Sequence, residues 1–157
     1  MGVSGCGKTT VGKLLALRLG LDFFDADDFH PSENVEKMKN GIPLDDQDRQ
    51  GWLTSINEFC KKITSTSSTV FACSALKSKY RATLSENINA KWICLEGSYD
   101  QIKERLSQRK GHYMAPGLLK SQFKTLEVPK SAFTVSINYN PEAIVDKILM
   151  EISGENK

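Results

Sequence analysis

Gly2-Val3-Ser4-Gly5-Cys6-Gly7-Lys8-Thr9 is a complete G-x-x-x-x-G-K-[ST] match, and it decides what kind of chain this is. A loop that closes round phosphate oxygens has no room for side chains at its turns. Glycines at positions 2, 5 and 7 remove them and permit positive φ. The backbone N–H groups from Gly5 to Thr9 can then point inward at a polyphosphate, helped by the positive end of the helix that follows. Lys8 would reach the β- and γ-phosphates as a mobile charge, and the Thr9 hydroxyl would ligate Mg²⁺. Gly2, Val3, Ser4, Gly5, Cys6, Gly7, Lys8, Thr9 and Thr10 are therefore the candidate nucleotide-contacting residues.

At 157 residues, 39% hydrophobic and 25% charged, the chain has the size and balance of one soluble globular domain. A net charge of +2 is too mild to call for a nucleic-acid partner. No apolar run approaches the roughly 20 residues of a membrane helix, and no secretory pattern precedes the loop. The expectation is a cytoplasmic protein with no membrane partner. The four cysteines form no C-x-x-C pair, so reduced structural thiols are expected, with Cys6 on the loop the one open to oxidation.

The spacing predicts a helix over 8–19, with Val11, Leu14, Leu15 and Leu17 as its apolar stripe and Gly20 as its stop. A strand over 21–24 runs into Asp25-Ala26-Asp27-Asp28. Ser32 reads as the cap of a short helix bearing Val35 and Met38. Asp46 or Asp48 opens a longer one to about Ile63, with Trp52, Ile56, Phe59 and Cys60 inward. Strands are expected over 69–73, 92–95 and 133–137, and helices over 78–85 and 118–125. Ser98-x-x-Gln101 is a capping box opening a helix to about Arg109, and Asn140-Pro141 opens the last one. Strands alternating with helices imply an α/β fold with a three-layer, doubly wound parallel sheet. The chain reads as a single domain, with inserts over about 28–64 and, as a lid, about 105–120.

Switch GTPases and motor ATPases carry a second carboxylate at the tip of another buried strand. Here Thr69–Cys73 ends in Cys73-Ser74-Ala75, and no N-K-x-D motif is present. The acids stand instead at Asp25 and Asp27, where a parallel sheet collects its ligands, at the carboxyl end of a strand. Two residues apart in extended chain, they can lean the same way, one serving a metal through water and the other an acceptor hydroxyl. Arg49, Lys77 and Arg81 follow element ends on the same rim, where they could grip an anionic acceptor. Arg105, Arg109 and Lys110 lie where a lid would cross a nucleotide and offset charge on the transferred phosphoryl group.

The chain resembles the gluconokinases. The resemblance rests on the loop above, Asp25-Ala-Asp-Asp-Phe-His-Pro31, Asn34 to Met38, Gly41-Ile-Pro-Leu44 and Asp46-Gln-Asp-Arg49 with Trp52. It continues in Cys73-Ser-Ala-Leu-Lys77 with Tyr80-Arg81, Arg109-Lys-Gly-His112 and Ser121-Gln-Phe-Lys-Thr-Leu-Glu127. It implies the adenylate- and shikimate-kinase type of fold with sheet order 2-3-1-4-5, and phosphorylation of D-gluconate by ATP with Mg²⁺. By similarity to shikimate kinase, Asp25 would hold Mg²⁺ through water, Asp27 would deprotonate the 6-hydroxyl, and Arg49 would bind acceptor. Lys8, Asp27 and Arg109 are then the expected catalytic residues, and Asp27, His30, Arg49, Lys77 and Arg81 the acceptor site. His30 can equally well pack or cap before Pro31, and His112 can serve a lid hinge.

The resemblance also implies a first, central strand before Gly2, where this chain has Met1 alone. The expectation is that Met1 is internal to a longer protein or begins a shortened form, and that the chain as numbered folds poorly without upstream residues. A kinase of another anionic acceptor and a non-catalytic nucleotide binder remain as alternatives. A homodimer is compatible with the sequence, which sets no oligomeric state.

Overall fold

The computed structural model describes residues 1–108 and 116–154. The order is α1 (Lys8–Leu19), β1 (Asp22–Asp25), a 3₁₀ turn (Ala26–Phe29), α2 (Ser32–Lys39), α3 (Asp46–Thr64), β2 (Thr69–Ala72) and α4 (Ser78–Leu84). It continues with β3 (Ile93–Glu96), α5 (Tyr99–Ser107), α6 (Pro116–Thr125), β4 (Phe133–Ser136) and α7 (Pro141–Ser153). Arg109, Lys110, Gly111 and His112 lie outside the described residues, and with them the middle of the expected lid.

The described strands form two parallel pairs. β1 pairs with β2, from Asp22 opposite Thr69 to Asp25 opposite Ala72. β3 pairs with β4, from Ile93 opposite Phe133 to Glu96 opposite Ser136. Between the pairs runs the backbone of Met1 and Gly2. Met1 N donates to Ile93 O, Leu95 N donates to Met1 O at 2.9 Å, and Gly2 N donates to Ser74 O at 3.3 Å. The short connection that leads into the loop is thus hydrogen-bonded on both sides.

Two apolar clusters fill the interior. One joins Val3, Cys6, Val11 and Leu15 to Leu95, Ile102, Leu119, Val135, Ile137, Ile144, Val145 and Ile148. The other joins Met1, Ala26, Trp52, Leu53, Ile56, Tyr80 and Leu84 to Cys73 and Cys94. The loop's own Val3 and Cys6 belong to the first, so the phosphate-binding segment is nailed to the core by side chains on its inner face. Cys6 is 1% exposed, which corrects the expectation that it stands open to oxidants.

Several helix ends differ from the sequence reading for local reasons. Asp45, not Asp46 or Asp48, caps α3: its carboxylate accepts from Asp48 N while Asp48 accepts from Asp45 N, a reciprocal box. Pro31 precedes α2 with no side-chain cap, so Ser32 is the first helical residue. Ser98 does cap α5 through Gln101 N, but the Gln101 side chain donates instead to Asn138 Oδ1 at 2.7 Å, joining α5 to the loop after β4. Asn140 caps α7 with Pro141 at its first position, as the sequence reads.

Gly97, after β3, is pressed against that loop: a Cβ there would collide with Ile137 Cδ1 and lie 2.6 Å from Cγ1. Gly97→Ala is expected to destabilise by about 1–3 kcal/mol through overpacking. Ile137→Ala alone is expected to cost about 2–5 kcal/mol as a cavity. The double variant should cost clearly less than their sum, and strictly additive denaturant midpoints would show that the two sites do not touch.

Candidate active site

The phosphate loop follows from its glycines. Gly5 has φ 84°, and a Cβ on it would lie 2.8 Å from Leu106 Cγ and 3.2 Å from Ile102 Cγ2, so α5 packs on bare backbone. Gly7 caps α1 in the left-handed conformation (φ 101°), and neither a capping side chain nor an acid occupies the first turn. No side chain of the helix's own first turn caps the N–H groups there, which leaves them for an outside anion. Lys8 Nζ rests on Val3 O at 3.1 Å. Thr9 and Thr10 begin the helix, exposed.

β1 delivers the acids to this loop. Thr9 Oγ1 donates to Asp25 Oδ2 at 2.7 Å, and Asp25 Oδ1 accepts from Asp27 N at 3.2 Å, starting the 3₁₀ turn. Asp25 therefore links the helix after the loop to the turn that carries Asp27. Asp27 is exposed, with protein dense enough around its carboxyl to desolvate it in part. Partial burial raises its pKa, Lys8 opposes that shift, and the charges of Asp25 and Asp28 add to it.

A second group of aromatic and basic side chains is built around Trp52 and Tyr80. Trp52 Nε1 donates to Ala26 O at 2.8 Å, and the fixed indole carries the His30 ring stacked on it, centroids 4.2 Å apart and 11° from parallel. The His30 Nδ1 atom is buried without a hydrogen-bond partner. Burial, with the Arg49 charge nearby, lowers the His30 pKa to about 4. Arg49 donates to Leu44 O and Asp45 O, and its guanidinium lies 5.5 Å from the Tyr80 ring centre. Lys77 Nζ lies 5.6 Å from the same ring and 2.8 Å from Asp46 Oδ1. Lys79 and the Tyr80 hydroxyl also donate to Asp46, whose pKa these donors hold far below the usual carboxylate range.

Two predicted residues sit differently from the rest. Arg81 is buried, and its guanidinium donates to Ala75 O at 2.8 Å and Leu76 O at 3.3 Å, holding the turn in which Ala75 adopts φ 45°. Arg105 donates to Ile137 O at 2.6 Å, reaching the loop after β4 from the same face of α5 as Gln101. Sequence reasoning missed Gln122 and Glu127 as single residues, although both lie in a block it had marked. Gln122 Oε1 accepts from Ser4 N at 2.7 Å, and Glu127 Oε2 accepts from Ser78 N at 2.6 Å.

A family model described as shikimate kinase matches residues 4–152. A probable gluconokinase of Dictyostelium discoideum is 47% identical over 163 residues, 97% of this chain and 82% of that protein. The chain belongs to the gluconokinase family, within the shikimate kinase-like proteins. Solved structures agree. An unliganded sugar kinase from Janibacter sp. HTCC2649 superposes with a TM-score of 0.91 at 40% identity, covering 98% of this chain and 91% of that one. A gluconokinase from Sinorhizobium meliloti 1021 gives 0.84 at 35% identity, covering 100% and 95%. Kinases of this family draw their phosphoryl group from a nucleotide, the chemistry for which the loop is shaped. No helix among the described residues is long and apolar enough to cross a membrane.

In this gluconokinase-family site the His30 ring is neutral at neutral pH. From pH 6.5 down to about 4 the unfolded chain holds a proton on His30 that the folded chain does not, so stability is lost as pH falls through that window. His30→Phe keeps a flat ring on Trp52 and removes the titration. Its melting temperature should fall less steeply over that range than the parent's, and parallel slopes would exclude the linkage.

Proposed function

We propose that the protein transfers the γ-phosphoryl group of ATP to the 6-hydroxyl of D-gluconate, giving 6-phospho-D-gluconate and ADP. The observation that carries this reading is the Thr9–Asp25–Asp27 chain at the mouth of the phosphate loop, in a chain 47% identical to a probable gluconokinase. The bond from the γ-phosphorus to its bridging oxygen breaks as the bond to O6 forms, and the hydroxyl proton passes to Asp27.

The raised proton affinity of Asp27 suits a general base, which works best when its pKa approaches the working pH. Amides of Gly5 to Thr9 cradle the phosphates, and Lys8 moves from Val3 O to the transferred group. Thr9 Oγ1 and Asp25 Oδ2, 2.7 Å apart beside the loop, are hard oxygen donors of the kind Mg²⁺ selects. Among the described residues no three His, Cys, Asp or Glu side chains cluster as a metal cage. A cation that arrives on nucleotide phosphates needs only such a partial shell. When bound, Mg²⁺ neutralises charge on the β- and γ-phosphates.

Arg49, Lys77 and His30 face the acceptor, the first two for its carboxylate and the neutral imidazole for hydroxyl groups. Arg81 serves that rim through the backbone it holds. Arg105 and Arg109 are the cations proposed for the nucleotide side. The four cysteines are free, which supports a reducing, cytoplasmic setting.

The test is ADP release with gluconate, shikimate, a nucleoside monophosphate or no acceptor. Gluconate-dependent turnover is expected, and turnover on another acceptor alone, or nucleotide binding without turnover, would overturn the assignment. Asp27→Asn should lower kcat by about 10²–10⁴-fold while ATP still binds. An unchanged kcat would remove Asp27 from the chemistry.

A further inference from the structure

The peptide group between Val3 and Ser4 is held at both ends. Its carbonyl accepts Lys8 Nζ at 3.1 Å, and its N–H donates to Gln122 Oε1 at 2.7 Å. One flat unit therefore carries the resting place of the loop's lysine on one side and a contact from α6 on the other. We infer that Gln122 is a positioning residue of the phosphate loop: by fixing the plane of the Val3–Ser4 peptide it sets where Lys8 waits and turns the Ser4 N–H away from the cradle of Gly5–Thr9 amides. The inference rests on the reading of that loop as a nucleotide site, not on the identity of the acceptor.

Three features support it. α6 is itself fixed, with Leu119 2% exposed in the core and the Phe123 ring edge-on to Tyr99 at 5.4 Å, so Oε1 is held in place by packing. Gln122 is half-buried, where a backbone N–H without a partner is costly. A neutral amide oxygen takes the N–H without setting a negative charge beside an anion site, as a carboxylate would.

The same stretch of chain supplies its own comparison. At Glu127 the backbone N donates to Leu76 O at 2.7 Å and the carboxylate accepts from Ser78 N at 2.6 Å. This straddles Lys77 and caps α4, which has no side-chain cap of its own. Gln122 thus touches the nucleotide side and Glu127 the acceptor side.

The experiment is calorimetric binding of a non-hydrolysable ATP analogue with Mg²⁺ to the full chain, with no acceptor present, for Gln122→Met, Gln122→Glu and Glu127→Met. Gln122→Met has the same reach and no acceptor oxygen, and should weaken the analogue about five- to tenfold. Glu127→Met should leave that affinity within about twofold and raise the KM for gluconate instead. Gln122→Glu keeps the hydrogen bond but adds charge, so its weakening should shrink as ionic strength rises. Parental affinity in Gln122→Met, equal weakening by the two methionine variants, or salt-independent weakening in Gln122→Glu would each overturn the inference. Because the analogue needs no acceptor, a wrong acceptor shows only in the KM measurement and leaves the binding result standing.

Discussion

The site depends on how the backbone enters the phosphate loop. Met1 and Gly2 are bonded to β3 through Ile93 and Leu95 and to the end of β2 through Ser74, which fixes the direction from which the loop turns. Each such bond adds only about 1 kcal/mol net. Their importance is directional, because amides aimed a few degrees wrong do not converge on one phosphate. At Gly2, with φ 142°, a Cβ would lie 2.8 Å from Leu95 O, so the close approach to β3 also requires glycine. Met1 packs in one apolar cluster and Val3 and Cys6 in the other, so the segment joins both cores.

Charge is laid out on that frame in two groups. Asp25, Asp27 and Lys8 form one around the loop, and Arg49, Lys77, Lys79 and Asp46 form the other beside Tyr80. The pairs at Asp46 are solvent-exposed and add little to stability. Their effect is to hold the Lys77 and Lys79 ammonium groups together on one carboxylate.

What was legible in the sequence was local. The loop motif, the alternation of strands and helices, the acids after β1 and the Asn140 cap each depend on residues a few positions apart. What was not legible depends on distance. Gln101 satisfies the spacing of a capping box, yet Asn138, 37 residues on, takes its amide. Asp45, Asp46 and Asp48 stand within four residues, and only the turn geometry selects Asp45 among them as the cap. Arg81 looks like any rim cation until the turn it supports, with Ala75 at φ 45°, is seen to need its donors. Gln122 and Glu127 carried a family signal but no chemistry that spacing could reveal, since their partners lie 118 and 49 residues away.

The balance at Asp27 shows how these levels combine. Burial raises its proton affinity, the charges of Asp25 and Asp28 add to that, and Lys8 on the loop opposes them. The opposing charge sits at Lys8 Nζ, parked on Val3 O. Drawing that ammonium toward a polyphosphate pairs it with anionic oxygens and weakens its restraint on Asp27, while the added negative charge pushes in the same direction as burial. The Asp27 carboxyl therefore holds its proton more tightly as negative charge gathers in the loop. On the proposed reading of Asp27 as the base, its proton affinity would follow the charge in the loop through Coulomb's law.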